Sequence, residues 1–154
     1  MGCSFDEKWM RLALEQAKLA RDMGEIPVGA VIVRDGEVVS VAHNLCETEH
    51  QATAHAEMLA IDRACRALGT NRLSGCTLYV TLEPCPMCAG ALIHARLDRV
   101  VFAAKDPRAG AFGSLINLYA YPLESHPVCE SGPLSEESLV LLRDFFEKLR
   151  QKAK

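Results

Sequence analysis

Two short motifs constrain how this chain can fold: His55-Ala56-Glu57 and Pro84-Cys85-Pro86-Met87-Cys88, with Cys85 30 residues after His55. Thr53 precedes a stretch rich in Ala, Met and Leu that runs to Leu68 and stops at Gly69. A helix is therefore expected from about His55, with Thr53 as its capping residue. Pro86 falls where a first-turn proline belongs, so a further helix is expected to run from there to near Ala95. Both sets of polar side chains sit at helix starts. Cys85 and Cys88, three residues apart, share a helix face, and the partial positive charge of a helix N-terminus favours their thiolates.

One His and two Cys make three ligands for zinc. A closed structural site needs a fourth, whereas three protein ligands leave a position for water, whose pKa falls to about 7 on the metal. Glu57 is two residues from His55, and first-turn side chains tilt back toward the helix N-terminus, so its carboxylate can reach that water. It can take the water's proton and deliver it to a nitrogen leaving group. A non-ligand Glu between a His and a C-x-x-C is the general signature of zinc nucleobase deaminases. Two other readings of the cysteine pair stay open, a redox pair and part of a four-ligand structural zinc. For the latter, Cys65, Cys76 and Cys129 remain as candidates but lack a second ligand-spaced pair; for the former, no thioredoxin-like βαβ start precedes the cysteines. Cys3, Cys46, Cys65, Cys76 and Cys129 read as ordinary thiols, and His43, His50, His94 and His126 as structural or surface residues.

The rest of the chain supplies alternating elements. Trp9, Leu12, Ala13, Gln16, Ala17, Leu19 and Ala20 recur at helical spacing, giving an amphipathic first helix that ends near Gly24. Val28 to Val33, Asp35-Gly36 and Val38 to Ala42 form the pattern of a β-hairpin. Cys76 to Thr81 and Arg99 to Ala104 are short β-prone runs, Lys105 to Gly113 reads as a loop, and Ser135 to Lys152 as a closing amphipathic helix. Strands separated by helices favour an α/β sandwich with a mixed sheet. At 154 residues and 49% hydrophobic content, one zinc-bearing domain over residues 1–154 is expected. The longest uncharged stretch, Ala109 to Leu123, is too short and too broken to span a bilayer, and Met1 to Met10 lacks a secretory core, so a cytoplasmic protein is expected.

Four blocks resemble a known family: Pro27-Val28-Gly29-Ala30, Thr53-Ala54-His55-Ala56-Glu57, the run from Leu78 through Pro84-Cys85-Pro86-Met87-Cys88 to Ala91, and Asp106-Pro107-Arg108-Ala109-Gly110-Ala111. They are similar to bacterial tRNA-specific adenosine deaminases, with the similarity extending over about residues 5 to 150. The zinc motifs alone specify only the wider cytidine-deaminase-like superfamily. The resemblance implies a three-layer α/β/α cytidine-deaminase-like fold with a five-stranded mixed sheet, a homodimer, one zinc per chain, and conversion of the wobble adenosine of an anticodon to inosine. It also implies that Asn44 contacts the flipped base and that Asp106 lies near the sugar of the target nucleotide. A carboxylate there can accept a 2′-hydroxyl hydrogen bond and favour RNA over DNA. By residue type alone, Asn44 reads as a turn residue and Asp106 as a loop cap. The chain departs from the family's usual residues at Cys46, Ala103, Phe112 and Ser125, outside the zinc motifs.

The net charge of −3 argues against a strong non-specific nucleic-acid binder. Arg63, Arg66, Lys105, Arg108 and the C-terminal Arg143, Lys148, Arg150, Lys152 and Lys154 could form a local basic rim, although a solvated helix face is the simpler account of the C-terminal charges. Two other functions remain to be distinguished. One is deamination of a free base or nucleoside such as guanine, cytosine or cytidine. The other is a noncatalytic zinc-binding partner subunit, which would be expected to have lost Glu57; this chain keeps it.

Overall fold

The computed structural model describes residues 2–153, with side chains from Phe5 onward; the Cys3 side chain lies outside the described residues. The elements are α1 (Gly2–Asp22), β1 (Gly29–Arg34), β2 (Glu37–His43), α2 (Ala56–Leu68), β3 (Cys76–Leu82), α3 (Pro86–His94), β4 (Arg99–Ala104), a 3-10 turn (Leu118–Ala120), β5 (Val128–Ser131) and α4 (Ser135–Lys152). The expected helices and four of the strands lie where residue patterning put them. Asp35 and Gly36 both take positive φ (52° and 74°), the backbone of a two-residue turn that matches strand twist.

The five strands form one sheet in the order β2-β1-β3-β4-β5. β1 pairs antiparallel with β2 and β3, while β4 pairs parallel with β3 and β5. The sheet is therefore mixed, with helices on both faces. On one face Ala30, Ile32, Leu78, Val80, Val100 and Phe102 pack with Ala56, Ala60 and Ala64 of α2 and Leu92 of α3. On the other, Val31, Val33, Tyr79, Val101 and Ala103 meet Trp9, Met10 and Ala13 of α1. This alternation is the period-two pattern of strands buried on both sides. Leu141 of α4 packs on Leu14 and Ala17 of α1, and Ser138 Oγ donates to the Thr81 carbonyl at 2.6 Å, which pins α4 to β3.

Three sequence-based assignments need correction. In α1, Leu12 and Leu19 are exposed, and Met10 and Leu14 are buried instead. Thr53 does not cap α2: the cap position is His55, whose side chain makes no capping bond, and Thr53 Oγ1 only accepts a hydrogen bond from Gln51. β5 escaped the residue pattern because Val128, Glu130 and Ser131 are exposed and show no apolar alternation. Among the described residues, no helix is long and apolar enough to cross a membrane.

Strand direction gathers the motifs at one end of the sheet. β3 and β4 are parallel and in register, Leu82 opposite Ala104, so the segments leaving them start side by side. β1 runs against β3, so its first residue, Gly29, reaches the same end, where its N–H donates to Thr81 Oγ1 at 3.1 Å. His43, the last residue of β2, pairs with Gly29. The carboxyl ends of β2, β3 and β4 thus converge beside the N-termini of α2 and α3, the usual place for a ligand crevice in an α/β sheet.

Candidate metal centre and active-site cavity

His55 and Cys85 occupy the cap positions of α2 and α3, both in extended backbone, and Cys88 lies in the first turn of α3. His55 Nδ1 is 3.6 Å from Cys85 Sγ and 3.5 Å from Cys88 Sγ. All three ligand atoms lie within 4.8 Å of one another, and among the described residues they form the one such group of three His, Cys, Asp or Glu ligand atoms. A tetrahedral ion with sulfur at about 2.3 Å and nitrogen at about 2.0–2.1 Å requires a nitrogen–sulfur separation of about 3.6 Å. The side chains are spaced for one metal ion. Cys65, Cys76 and Cys129 bring no fourth ligand to this group; they pack in or against the core between the sheet, α2 and α3.

The two thiols differ electrostatically. A hydrogen bond from Cys88, together with His55, pulls Cys85 down to about 4, so its thiolate is favoured at neutral pH. The same bond and burial push the Cys88 thiol up. A cation between the two sulfurs would favour the thiolate form of both.

Glu57 sits in the first turn of α2, 4% exposed, beside the Cys88 thiol but outside the group of three. Burial raises its pKa to about 7. Such a carboxyl can hold or release a proton near neutral pH, as acid–base chemistry requires.

His55, Glu57 and Cys85 open onto a cavity of about 490 Å³. Asn44 and Asp106 line it as well. Asn44, buried at the end of β2, accepts the Ala56 N–H on Oδ1 at 2.8 Å and donates from Nδ2 to the Ile26 carbonyl at 3.2 Å. Asp106 Oδ1 accepts the N–H groups of Arg108 and Ala109 at 3.0 and 3.3 Å, so this residue does cap its loop while facing the cavity. Another wall is a stripe of α4, Leu139, Leu142, Arg143, Phe146 and Arg150, and Ile26, Val28, Leu82 and Glu83 line the cavity from the sheet side. Arg143, which also pairs with Glu136 at 3.7 Å, and Arg150 join Lys105 and Arg108 along the cavity, while Lys148 and Lys152 stay on the exposed face of α4. Arg63 and Arg66 are engaged elsewhere, with the Val41 carbonyl and Asp62.

Two buried carboxylates escaped the residue reading. Glu25, 1% exposed, accepts the Glu47 and Thr48 N–H groups and the Thr48 hydroxyl, holding the segment between β2 and α2. Glu83, 2% exposed, does the same for the loop after β4. Glu25 stands just before a motif block and Glu83 inside one, but a Glu in sequence looks like a surface charge, and only burial marks these two as anchors.

The family described as MafB19-like deaminase matches residues 5–150. The tRNA-specific adenosine deaminase of Bacillus subtilis (strain 168) is 53% identical over 150 residues, covering 97% of this chain and 93% of the relative. A solved structure from work on A-to-I editing by tRNA:A34 deaminases at the wobble position of transfer RNA superposes with a TM-score of 0.86 at 42% identity, covering 88% of this chain and 99% of that one. The guanine deaminase of Bacillus subtilis is more distant, with a TM-score of 0.64 at 33% identity over 94% of this chain and 93% of its own. Likeness at this level, over 97% of the chain, makes this chain a member of the tRNA-specific adenosine deaminase family.

Proposed function

We infer that this protein is a zinc-dependent hydrolase that converts adenosine to inosine at the wobble position of a tRNA anticodon. The observation that carries this reading is the open cavity where the three-ligand cluster and Glu57 lie beneath a rim of Lys105, Arg108, Arg143 and Arg150. His55 Nδ1 and the sulfurs of Cys85 and Cys88 would hold one zinc per chain. Zinc, when bound, makes water at its open position acidic enough to ionise near neutral pH.

Glu57 takes the proton from the water that attacks C6 of adenine and passes it to the departing amine, which leaves as ammonia. Its position beside the ligand cluster suits that shuttle. Asn44 orients the base: an amide nitrogen has two N–H groups, and with one given to Ile26 the second is available to the substrate. Asp106 bonds its own loop through Oδ1, which leaves Oδ2 for the 2′-hydroxyl of a ribose. The partners are a tRNA anticodon stem-loop and a second copy of the chain in a homodimer. A tRNA substrate sets the cytoplasm as its workplace, and DNA and membranes are not expected partners.

Incubating the zinc-loaded protein with an anticodon stem-loop carrying adenosine at the wobble position should produce inosine. The second reading, deamination of a free base, draws on the 33% identical guanine deaminase. The cationic rim favours a polyanion over a neutral base. Turnover of guanine or cytidine with indifference to the stem-loop would reverse that choice.

A further inference from the structure

Glu83 is the last residue before Pro84-Cys85 and lines the cavity, and its carboxylate is bonded into the loop that follows β4. All four of its partners are donors. Oε1 accepts the Asp106 N–H at 3.2 Å and the Ser114 hydroxyl, and Oε2 accepts the N–H groups of Phe112 and Ser114 at 3.1 and 3.2 Å. The backbone adds two bonds across the same seam, Glu83 N–H to the Ala104 carbonyl at 2.8 Å and Ala111 N–H to the Pro84 carbonyl at 2.9 Å. Gly110 lies so close that a Cβ there would collide with the Glu83 carboxylate and with the Asp106 carbonyl. Residues 106–114 are thus folded around one buried carboxylate, with a glycine where the loop passes over it.

The part of that loop facing the cavity is Asp106, Pro107, Arg108 and Ala109. The distance of these four residues from the metal-ligand segment is set by Glu83, because the same residue begins the turn into Cys85 and anchors the loop at both of its ends. We propose that Glu83 is a positioning residue: it fixes the substrate-facing loop relative to the metal-ligand segment and so sets how tightly the target nucleotide is held. This rests on the wobble-adenosine reading above.

The test is Glu83→Gln, whose amide nitrogen faces two donors where a carboxylate oxygen accepted them. Zinc content stays near that of the parent. With the loop acting on binding rather than on bond breaking, KM for the anticodon stem-loop rises about tenfold or more while kcat changes by less than about threefold. Amides of Phe112 and Ser114 exchange faster with deuterium, while those of β3 and α3 keep their protection. A residue that merely supported the fold would lower kcat through loss of active protein and leave KM in place. An unchanged KM with normal zinc content overturns the proposal, as does a fall in kcat alone.

Should Glu83→Gln fail to fold, Gly110→Ala perturbs the same contact from the loop side and carries the same expectation; unchanged KM there is equally fatal. If the parent protein itself does not convert the stem-loop, the wobble reading fails. The exchange experiment still judges the anchoring by Glu83, since unaltered protection at Phe112 and Ser114 overturns it without reference to activity.

Discussion

The side-chain oxygen of Asn44 accepts the backbone N–H of Ala56 at 2.8 Å, so the first residue of α2 is capped from the end of β2 rather than from its own leading segment. Helix N-termini leave several N–H groups without intrahelical partners, and a nearby side-chain oxygen normally satisfies one of them. Here the long-range cap also carries Nδ2 to the Ile26 carbonyl, so one amide joins three segments beside His55 and Glu57.

Asn44→Ala removes both bonds and should lower stability by about 1–2 kcal/mol. Asn44→Asp keeps the acceptor and loses the donor. It should retain the cap and most of the stability while still losing base orientation, with inosine formation down more than about tenfold. Thermal unfolding and stem-loop turnover measured together check this; full turnover by Asn44→Asp would remove the base contact from the mechanism.

Glu57→Ala and Cys88→Ala should separate chemistry from metal binding. The first keeps about one zinc per chain and loses activity by about 10²-fold or more. Cys88 is fully buried in the first turn of α3, so its removal should lower zinc content and stability together. Metal analysis and unfolding of both variants decide the matter. Zinc lost from Glu57→Ala, or retained in full by Cys88→Ala, contradicts the assigned roles.

Arg143 and Arg150 lie two turns apart on the stripe of α4 that walls the cavity. If they meet phosphates of the anticodon loop, each Arg→Ala substitution should flatten the slope of log K against log salt by up to ~0.7, the single-strand value per contact. Turnover at saturating RNA should change little. Binding titrations from low to moderate salt test the point, and an unaltered slope in the double variant assigns these arginines to solvent.

Glu25 gives the pH prediction. Burial alone would raise its pKa, but hydrogen bonds from the Thr48 hydroxyl and the Thr48 and Glu47 N–H groups outweigh burial and hold it below the usual 4.5. A carboxyl depressed in the folded state stabilises above its unfolded pKa, and that contribution disappears as pH falls through the folded value. Glu25→Gln should therefore be less stable than the parent by about 1–3 kcal/mol at pH 7. The gap should persist down to about pH 5 and narrow below the unfolded value near 4.5. Denaturant unfolding at a series of pH values measures it; a constant gap down to pH 3 would show that Glu25 does not titrate with the fold.

Much of the architecture was legible because local patterns carried it. The Asp35-Gly36 hairpin, the Pro86 start of α3 and the Gly69 end of α2 each follow from the conformational limits of one or two residues. The parts that were not legible depend on partners distant in sequence. β5 is exposed on most of its length and is a strand only because β4 offers its backbone edge. Leu12 and Leu19 fit the helical period of α1 as well as Met10 and Leu14 do, and only the placement of the sheet chose between them.

For the site, the sequence by itself determined the donor types, one imidazole, two thiols and a carboxyl at helix starts, and left Cys65, Cys76 and Cys129 as candidate fourth ligands that only the structure sets apart. Tertiary structure decided their distances, because His55 and Cys85 meet through the packing of two helices on a mixed sheet whose strand directions bring three carboxyl ends together. It also decided that Glu25 and Glu83 are buried loop anchors and that Arg143 and Arg150 face the cavity. A charged side chain has the same local pattern in either role; its meaning comes from burial and from the donors that surround it, which local sequence does not encode.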